Sequence, residues 1–281
     1  MTMNLRAWMI GLTAAGMLTA AGGAAAQTPA PLTQAVVTDI MEPDFNVINL
    51  PTTRPMKPFR SSFHLTHRFL GNLKDGSFAD NLGNLFGLDN GAMVGLEYRI
   101  ALTERIQAVF YRSSIDKTIQ FSGRFDAVRQ SDVMPVSISA FGGVEGNQNF
   151  GWHAQGRATV KAPTIGATVS RTLMDRAVVY VVPAFTHNTL VLGDVHRNTF
   201  ILGTGARVRL GENSFIVAEV SPRLSGYAPG SPEFGFGIEK RVGGHTFQLN
   251  FSNATATTFA QVARGGFPST IYFGFNLGRK F

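Results

Sequence analysis

The chain has no cysteine and few charged residues. The absence of cysteine excludes a disulfide scaffold and any cysteine-ligated metal site. Charged residues make up 15% of the 281 positions, against roughly 25% in a typical soluble domain. The net charge is +7, but the 25 basic residues are interspersed with 18 acidic ones and form no run, so the composition does not indicate a nucleic-acid-binding protein.

A long apolar run is also missing beyond the N-terminal segment. Without a window of about 18 apolar residues after position 26, no transmembrane helix is predicted there. Residues 1–26 combine a short start ending at Arg6, an apolar stretch and the small residues Ala24, Ala25 and Ala26. This layout predicts a cleaved secretory signal peptide, with an uncleaved anchor as the alternative. Residues 27–58 are rich in proline and threonine, and we predict an irregular periplasmic leader.

From residue 59 the apolar residues recur with a period of two, which is the period of a β-strand. In the first run, Phe63 and Leu65 alternate with His64 and Thr66. Most runs are long for a soluble sandwich and match the roughly 9–11 tilted residues that cross a bilayer. About twelve strands are predicted, at 59–69, 91–101, 105–113, 118–128, 135–142, 163–174, 177–187, 197–210, 214–225, 232–242, 245–253 and 269–281.

The links between the runs alternate in length. Short turns at 102–104, 174–176, 211–213 and 242–244 alternate with links at 70–90, 143–162, 188–196, 226–231 and 254–268, and 114–117 is a short exception. Short turns at one rim and long loops at the other are typical of an outer-membrane barrel. We therefore predict an all-β fold over residues 59–281, a closed antiparallel transmembrane β-barrel with short periplasmic turns and longer extracellular loops. Closure pairs every backbone group within lipid.

A soluble barrel with the faces reversed would show the same period, so the choice depends on the signal peptide, the strand length and the last strand. That strand ends in Phe281, in register with Phe273, Phe275 and Leu277. It resembles the terminal signal that the bacterial barrel-assembly machinery recognises, although Arg279 stands where an aromatic residue is common. The resemblance implies this machinery as a partner and the bacterial outer membrane as the location.

Several stretches also carry a family resemblance. They are LDNG at 88–91 with GLEYR at 95–99, SPRLSGY at 221–227, PEFGFGIEK at 232–240 and FQLNFSN at 247–253. They resemble a bacterial family of uncharacterised outer-membrane β-barrels, known by a domain-of-unknown-function label, over most of residues 59–281. The resemblance implies an outer-membrane barrel and brings no substrate or catalytic residue.

Charged residues on the polar faces are expected to point into the lumen, because an arginine facing lipid near mid-bilayer costs roughly 2–4 kcal/mol. Eight arginines and three glutamates lie on these faces. Two of the arginines, Arg209 and Arg241, are near the rims and have the membrane interface as an alternative location. This ratio predicts a positively biased interior that favours anions, unless the charges pair across the lumen and fill it. The candidate lumen-lining residues are Arg60, His64, Arg68, Glu97, Arg99, Arg105, Arg207, Glu219, Arg223 and Glu239.

The preferred functional hypothesis is a monomeric barrel in outer-membrane lipid that acts as a passive channel for small, preferably anionic solutes. The alternative is a non-conducting structural or binding barrel that engages a partner through its loops or its leader. A third hypothesis is a lipid-modifying hydrolase, but no spacing brings Ser62, His64, Ser221 and Glu219 into a catalytic arrangement. We predict no catalytic residue and no cofactor. We also predict no metal, since His64 and His67 point to opposite faces of a strand and cannot bind one ion together.

Overall fold

The structure, a computed structural model, describes residues 40–281 except 153, 157, 158, 190, 193, 194 and 197. The predicted signal peptide, residues 1–26, and the first part of the predicted leader lie outside the described residues.

Twelve long antiparallel strands form one closed sheet in the described part of the chain. Each strand pairs with its neighbour in sequence, and the last pairs with the first through contacts such as Leu65 with Leu277, which closes the ring. The strands are β1 (Ser61–Asn72), β2 (Ala92–Ala101), β3 (Ile106–Ser113), β4 (Ile119–Val128), β5 (Ser137–Gly146), β6 (Lys161–Leu173), β7 (Ala177–Thr186), β8 (Thr199–Arg209), β9 (Ser214–Ser221), β10 (Glu233–Val242), β11 (His245–Ser252) and β12 (Tyr272–Lys280).

The predicted closed barrel of about twelve strands is therefore confirmed. A short strand, Arg223–Ser225, continues β9 beyond Pro222 and pairs with β8. A two-residue hairpin, Val191–Leu192 with Val195–His196, lies between β7 and β8. The fifth strand extends four residues past its predicted end, because Gly142, Gly143 and Gly146 interrupt the apolar alternation there.

The links confirm the predicted alternation of short turns and long loops. At one end the strands are joined by residues 102–105, 129–136, 174–176, 210–213 and 243–244. At the other end the long links are 73–91, 147–160, 187–198, 222–232 and 253–271, and 114–118 is shorter. The long links hold the helices α1 (Phe78–Gly83) and α2 (Phe259–Arg264) and the 3₁₀ turns Leu85–Asn90 and Gln148–Gly151; a third turn is Ile115–Lys117. No helix in the described ranges is long and apolar enough to span a membrane.

The side chains alternate between the outer wall and the interior. In β1, His64, Thr66 and Arg68 are buried inside, whereas Phe63 and Leu65 point outward. The interior face is not uniformly polar, since β7 and β9 place apolar residues such as Val178 and Val217 inward. These apolar positions need something apolar to pack against, and residues 40–58 provide it.

Candidate functional site: the filled lumen and its mouth

Residues 40–58, here called the leader hairpin, fold inside the barrel. Their chain reverses direction through a bridge between Asn46 and Pro51, with the Val47 N–H donating to the Leu50 carbonyl at 2.8 Å. Val47, Ile48 and Leu50 at the tip are all buried. The tip therefore packs within the lumen instead of extending from it.

The carboxylate of Glu219 on β9 holds this tip. It accepts backbone N–H bonds from Ile48 at 2.9 Å, from Asn49 at 2.8 Å and from Leu50 at 3.1 Å. Three donors aimed at one charged acceptor form short, charge-assisted hydrogen bonds, which are roughly twice as strong as neutral ones. The backbone turn at the hairpin tip thus points its N–H groups at Glu219, one of the residues predicted to line the lumen.

A buried ion pair holds the other side of the hairpin. The Arg207 guanidinium on β8 lies 2.9 Å from Glu239 of β10 and donates to the Asn46 carbonyl at 3.0 Å. It also donates to the Tyr180 hydroxyl at 3.1 Å. The Gln248 amide on β11 donates to the Val47 carbonyl at 2.7 Å. The charges therefore fix the leader hairpin as well as each other.

Further contacts come from strands all around the ring. Toward the short-turn end, the Pro43 carbonyl accepts from Lys280 at 2.7 Å, and Asp44 lies 3.3 Å from the His64 ring. On the opposite wall, Thr168 of β6 donates to the Pro51 carbonyl at 3.0 Å. Because opposite strands contact the same short segment, the hairpin occupies the lumen, entering from the short-turn end.

From sequence, residues 27–58 are predicted to form an irregular periplasmic leader separate from the barrel. Their described part, 40–58, lies inside the barrel. Nothing in the local pattern shows this, because the hydrogen-bond partners of the hairpin come from strands that are far away in sequence.

The loop 253–271, here called the inserted loop, enters from the long-loop end. The Glu145 carboxylate on β5 accepts from the Thr258 hydroxyl and from the Ala260 N–H, each at 2.9 Å. The Gln120 side chain accepts from the Phe259 N–H at 3.1 Å. Val262 of α2 and Leu50 of the leader hairpin belong to one buried apolar cluster. The two inserts thus meet within the lumen.

Little space remains between them. A cavity of about 40 Å³ lies beside Arg99, Tyr111 and Arg124, and one of about 10 Å³ lies between Leu50 and Phe259. Volumes of this size hold one or a few water molecules. The two inserts therefore fill most of the lumen where they meet.

A larger hollow lies above the inserted loop, at the long-loop mouth of the barrel, and its volume is about 440 Å³. Apolar groups dominate its lining, including Ile115, Tyr227, Ala256 and Phe267. Gln261 also lines it and is 3% exposed, and its amide nitrogen has no hydrogen-bond partner.

Arg264 lines the same hollow. Its Nε donates to the Thr189 carbonyl at 2.9 Å, and its Nη1 lies 4.0 Å from Asp116. Nearby, the Arg223 guanidinium lies 5.6 Å from the Tyr227 ring centre. The mouth hollow thus combines the unpaired amide nitrogen of Gln261 and the half-buried guanidinium of Arg264 with an apolar wall.

The structure places the ten predicted lumen residues in three groups. Arg60 precedes β1 and Arg105 lies in the turn after β2, and both are exposed at the short-turn end. Arg223 is half-buried at the long-loop end. The other seven are buried in the interior: His64, Arg68, Glu97, Arg99, Arg207, Glu219 and Glu239.

The predicted excess of positive charge inside the barrel is wrong. Arg209 and Arg241 make hydrogen bonds at the short-turn rim, with Gly211 and Asn213 respectively. Among the described residues, the buried arginines are Arg54, Arg68, Arg99, Arg124 and Arg207. The buried acids are more numerous: Glu42, Asp44, Glu97, Asp126, Glu145, Glu219, Glu233 and Glu239.

Some functional residues were missed from sequence. Arg124 and Asp126, which lie 2.7 Å apart, are on the polar face of their run, so the alternation alone could have identified this pair. Glu145 and Glu233 lie at strand ends, where the alternation carries less information. Glu42 and Asp44 required knowledge that the leader enters the barrel.

The residues considered for hydrolysis, Ser62, His64, Glu219 and Ser221, are all buried in the interior. The His64 ring faces Asp44 there. Among the residues that the structure describes, no group of three or more histidine or acidic residues is arranged to hold a metal ion.

Comparison with known families gives one match. Residues 44–281 match the family described as "Membrane bound beta barrel domain (DUF5777)". The chain belongs to this family. The match begins within the leader hairpin, so most of that hairpin forms part of the family domain. A search of the curated proteins found no match.

Several solved structures of outer-membrane barrels are similar in fold. The NanC porin has a TM-score of 0.49 at 6% identity, with 79% of this chain and 98% of that chain covered. LpxR from Salmonella typhimurium has a TM-score of 0.40 at 12% identity, over 78% and 100%. Outer membrane phospholipase A from Escherichia coli has a TM-score of 0.43 at 8% identity, over 89% and 98%. This member of the family is a membrane-bound β-barrel.

Proposed function

We propose that this protein is a closed outer-membrane barrel that binds small anionic molecules with an apolar body at its extracellular mouth. The observation that carries the proposal is the filling of the lumen by the leader hairpin and the inserted loop. A passive channel, the preferred hypothesis from sequence, needs a continuous polar path for its solute. Two inserts packed against each other leave little room for one.

The charges inside the barrel support binding over conduction. Among the described residues, eight buried acids against five buried arginines give no attraction for an anion crossing the lumen. The large buried arginines already have partners, as Arg207 has in Glu239 and Arg68 in Asn276, at 2.8 Å. Their role is to hold the inserts in place.

The lining of the mouth hollow supports the ligand class. The unpartnered Gln261 amide nitrogen is a donor that needs an acceptor, because an unsatisfied buried polar group costs about 1–3 kcal/mol. Arg264 supplies positive charge next to it. A carboxylate on an aromatic or aliphatic body would satisfy both groups and cover the apolar wall.

Export and assembly belong to the same proposal. A signal peptide cleaved after Ala26 would deliver the chain, and the barrel-assembly machinery would recognise its last strand. Phe273, Phe275 and Leu277 of β12 all point to the outer wall, and Phe281 follows them exposed. A complete ring in one chain also agrees with a monomer in outer-membrane lipid.

Conductance is the first test. The full chain, refolded in detergent and inserted in a planar bilayer, should show no discrete conductance steps. Its folding would be checked by the heat-dependent shift of barrel proteins in gel electrophoresis. Regular steps with an anion reversal potential would overturn the closed barrel and restore the channel hypothesis.

Ligand binding is the second test. Calorimetry of the refolded chain would compare benzoate, benzamide and benzylamine, which share a ring and differ in charge. We expect saturable binding of benzoate and weaker binding of benzylamine. Equal binding of all three, or no saturable binding, would overturn the assignment of the mouth.

A further inference from the structure

The loop 73–91 packs outside the barrel rather than across its mouth. At its base, the Leu73 N–H donates to the Ile271 carbonyl at 2.8 Å, and the Asn72 side chain accepts from the Ile271 N–H at 2.9 Å. Gly71 of β1 and Gly87 of the loop touch backbone to backbone, since a Cβ on Gly71 would lie 2.4 Å from the Gly87 Cα. The loop is thereby pinned against the outer wall.

The helix α1 in this loop is built to sit at an interface. Ser77 caps its first turn and exchanges hydrogen bonds with Asp80, which lowers the pKa of that exposed carboxyl and keeps it charged toward water. Phe78 is 74% exposed, and Leu82, Leu85 and Leu88 are exposed as well. Apolar side chains in such number on one short loop favour contact with membrane lipid.

Between the loop and the barrel wall lies an apolar groove of about 350 Å³. Its lining consists of Leu73, Phe78, Asn81, Phe86, Phe251 and Phe273. The one polar member, Asn81, uses its amide nitrogen to bond the carbonyls of Leu73, at 2.9 Å, and Ser77, at 3.3 Å. The groove therefore suits a hydrocarbon occupant.

The floor of the groove belongs to the lipid-facing wall. Phe69, Phe273, Phe251 and Phe236 form a row across four neighbouring strands, with ring centres 5.5–5.6 Å apart. They lie at the long-loop end, which is where an outer-membrane barrel carries an aromatic girdle at the outer interface. The groove is thus continuous with the surface that contacts the outer leaflet.

We propose that this groove binds one acyl chain of an outer-leaflet lipid, enclosed between α1 and the aromatic row. The inference concerns a site outside the barrel and is independent of the function proposed for the mouth. It predicts a single bound chain that is distinct from the lipids covering the rest of the wall.

Brominated-lipid quenching of tryptophan tests this directly. The full chain would carry Trp8→Phe and Trp152→Phe, with one reporter at a time: Phe78→Trp on the roof of the groove or Phe273→Trp on its floor. Each protein would be reconstituted in vesicles that mix dioleoylphosphatidylcholine with its dibrominated counterpart. The control reporter is Phe121→Trp, which is 52% exposed on β4 and, like Phe273, lies near the long-loop end of its strand.

At the two groove positions, fluorescence should fall linearly with the brominated fraction, as expected for one lipid site. At the control position the curve should bend, because several lipids exchange beside that tryptophan. Identical curves at all three positions would overturn the proposal. So would quenching of the groove reporters by aqueous iodide in place of the brominated lipid, which would show a water-filled groove.

A second variant pair tests whether the docked loop forms the site. Gly71→Ala should separate the loop from the wall and change the quenching at position 273 from linear to bent. The matched control is Gly83→Ala in α1, where an added Cβ meets nothing within 4 Å. A linear curve that survives Gly71→Ala would show that the loop is not part of the site, and would overturn the proposal.

Discussion

The leader hairpin and the inserted loop occupy the same lumen but are held differently. The leader hairpin is bound by charged, fully enclosed side chains, including Glu219 and Arg207, and by strands from every side of the ring. The inserted loop is held by Glu145 and Gln120 on one side, by a backbone pair between Gly266 and Ser231 on another, and by apolar packing beneath α2. The leader hairpin leaves only small cavities around it, whereas the inserted loop leaves a hollow of about 440 Å³ above it.

The difference shows how one barrel can use one segment to fill its lumen and another segment to form a ligand site at its mouth. A segment with converging hydrogen bonds to opposite walls seals the lumen, because it cannot shift without exposing buried charge. A loop held largely by backbone hydrogen bonds and apolar packing leaves a hollow at the mouth that a ligand can reach. Four changes to the chain test this contrast, from the largest expected effect to the smallest.

Deleting residues 40–58 should produce the largest effect, the appearance of conductance steps. The deletion removes the segment that fills the lumen from the short-turn end, and it leaves a water-filled space between the strands. Bilayer recordings would measure it, with the heat-dependent gel shift to show that the barrel still forms. A folded variant that stays silent would mean that the inserted loop seals the lumen by itself.

Glu219→Ala should lower the free energy of unfolding by about 3 kcal/mol or more, since it leaves three buried N–H groups of the hairpin without an acceptor. Denaturant titration would measure the loss. The control is Glu212→Ala in the exposed turn after β8, expected to change stability by no more than about 0.5 kcal/mol. Equal effects at the two positions would contradict the role given to Glu219.

Glu145→Gln should cost less, about 1–2 kcal/mol, because the amide can still accept one of the two hydrogen bonds from the inserted loop. Proteolysis should then cut the loop 253–271 more readily, with the bilayer still silent. Glu104→Gln, in an exposed turn, serves as the control. Conductance in the Glu145 variant would show that the inserted loop shares the sealing role.

Gln261→Glu should act on the ligand, and its expected effect on binding is the smallest of the four effects. The new carboxylate can still accept from the Thr257 N–H, which lies 3.1 Å from the Gln261 oxygen, but it offers no donor and repels an anion. We expect benzoate affinity to fall about tenfold, which corresponds to ~1.4 kcal/mol. Calorimetry would compare it with Gln155→Glu on the neighbouring loop 147–160, and the same loss in both variants would point to general charge repulsion.

The sequence predicted the barrel well because a strand's period is local. Alternation in runs such as 59–69 and 245–253 identified the strands to within a few residues, and the turn lengths identified the two ends. Arg60 and Arg105 were misplaced for the same reason, since the alternation was extended past the true strand ends into turns. A period alone does not mark where a strand stops.

The filling of the lumen could not be predicted in this way. Glu219 reads as a lone polar-face acid until Ile48, Asn49 and Leu50 are brought to it from about 170 positions away. The predicted excess of positive charge in the interior was wrong for the same reason, because Glu42 and Asp44 lie in the interior only when the leader does. Long-range pairings of this kind leave no periodic trace in the chain.

The closing contact between β1 and β12 has a consequence for the rate of folding. The leader hairpin bonds to Arg68 on β1 and to Asn276 on β12, so it lies behind the very seam that completes the ring. The seam and the hairpin contacts behind it both join residues that are far apart in sequence. Because the entropy cost of closing such long loops comes before the contacts form, we expect the barrel to fold slowly.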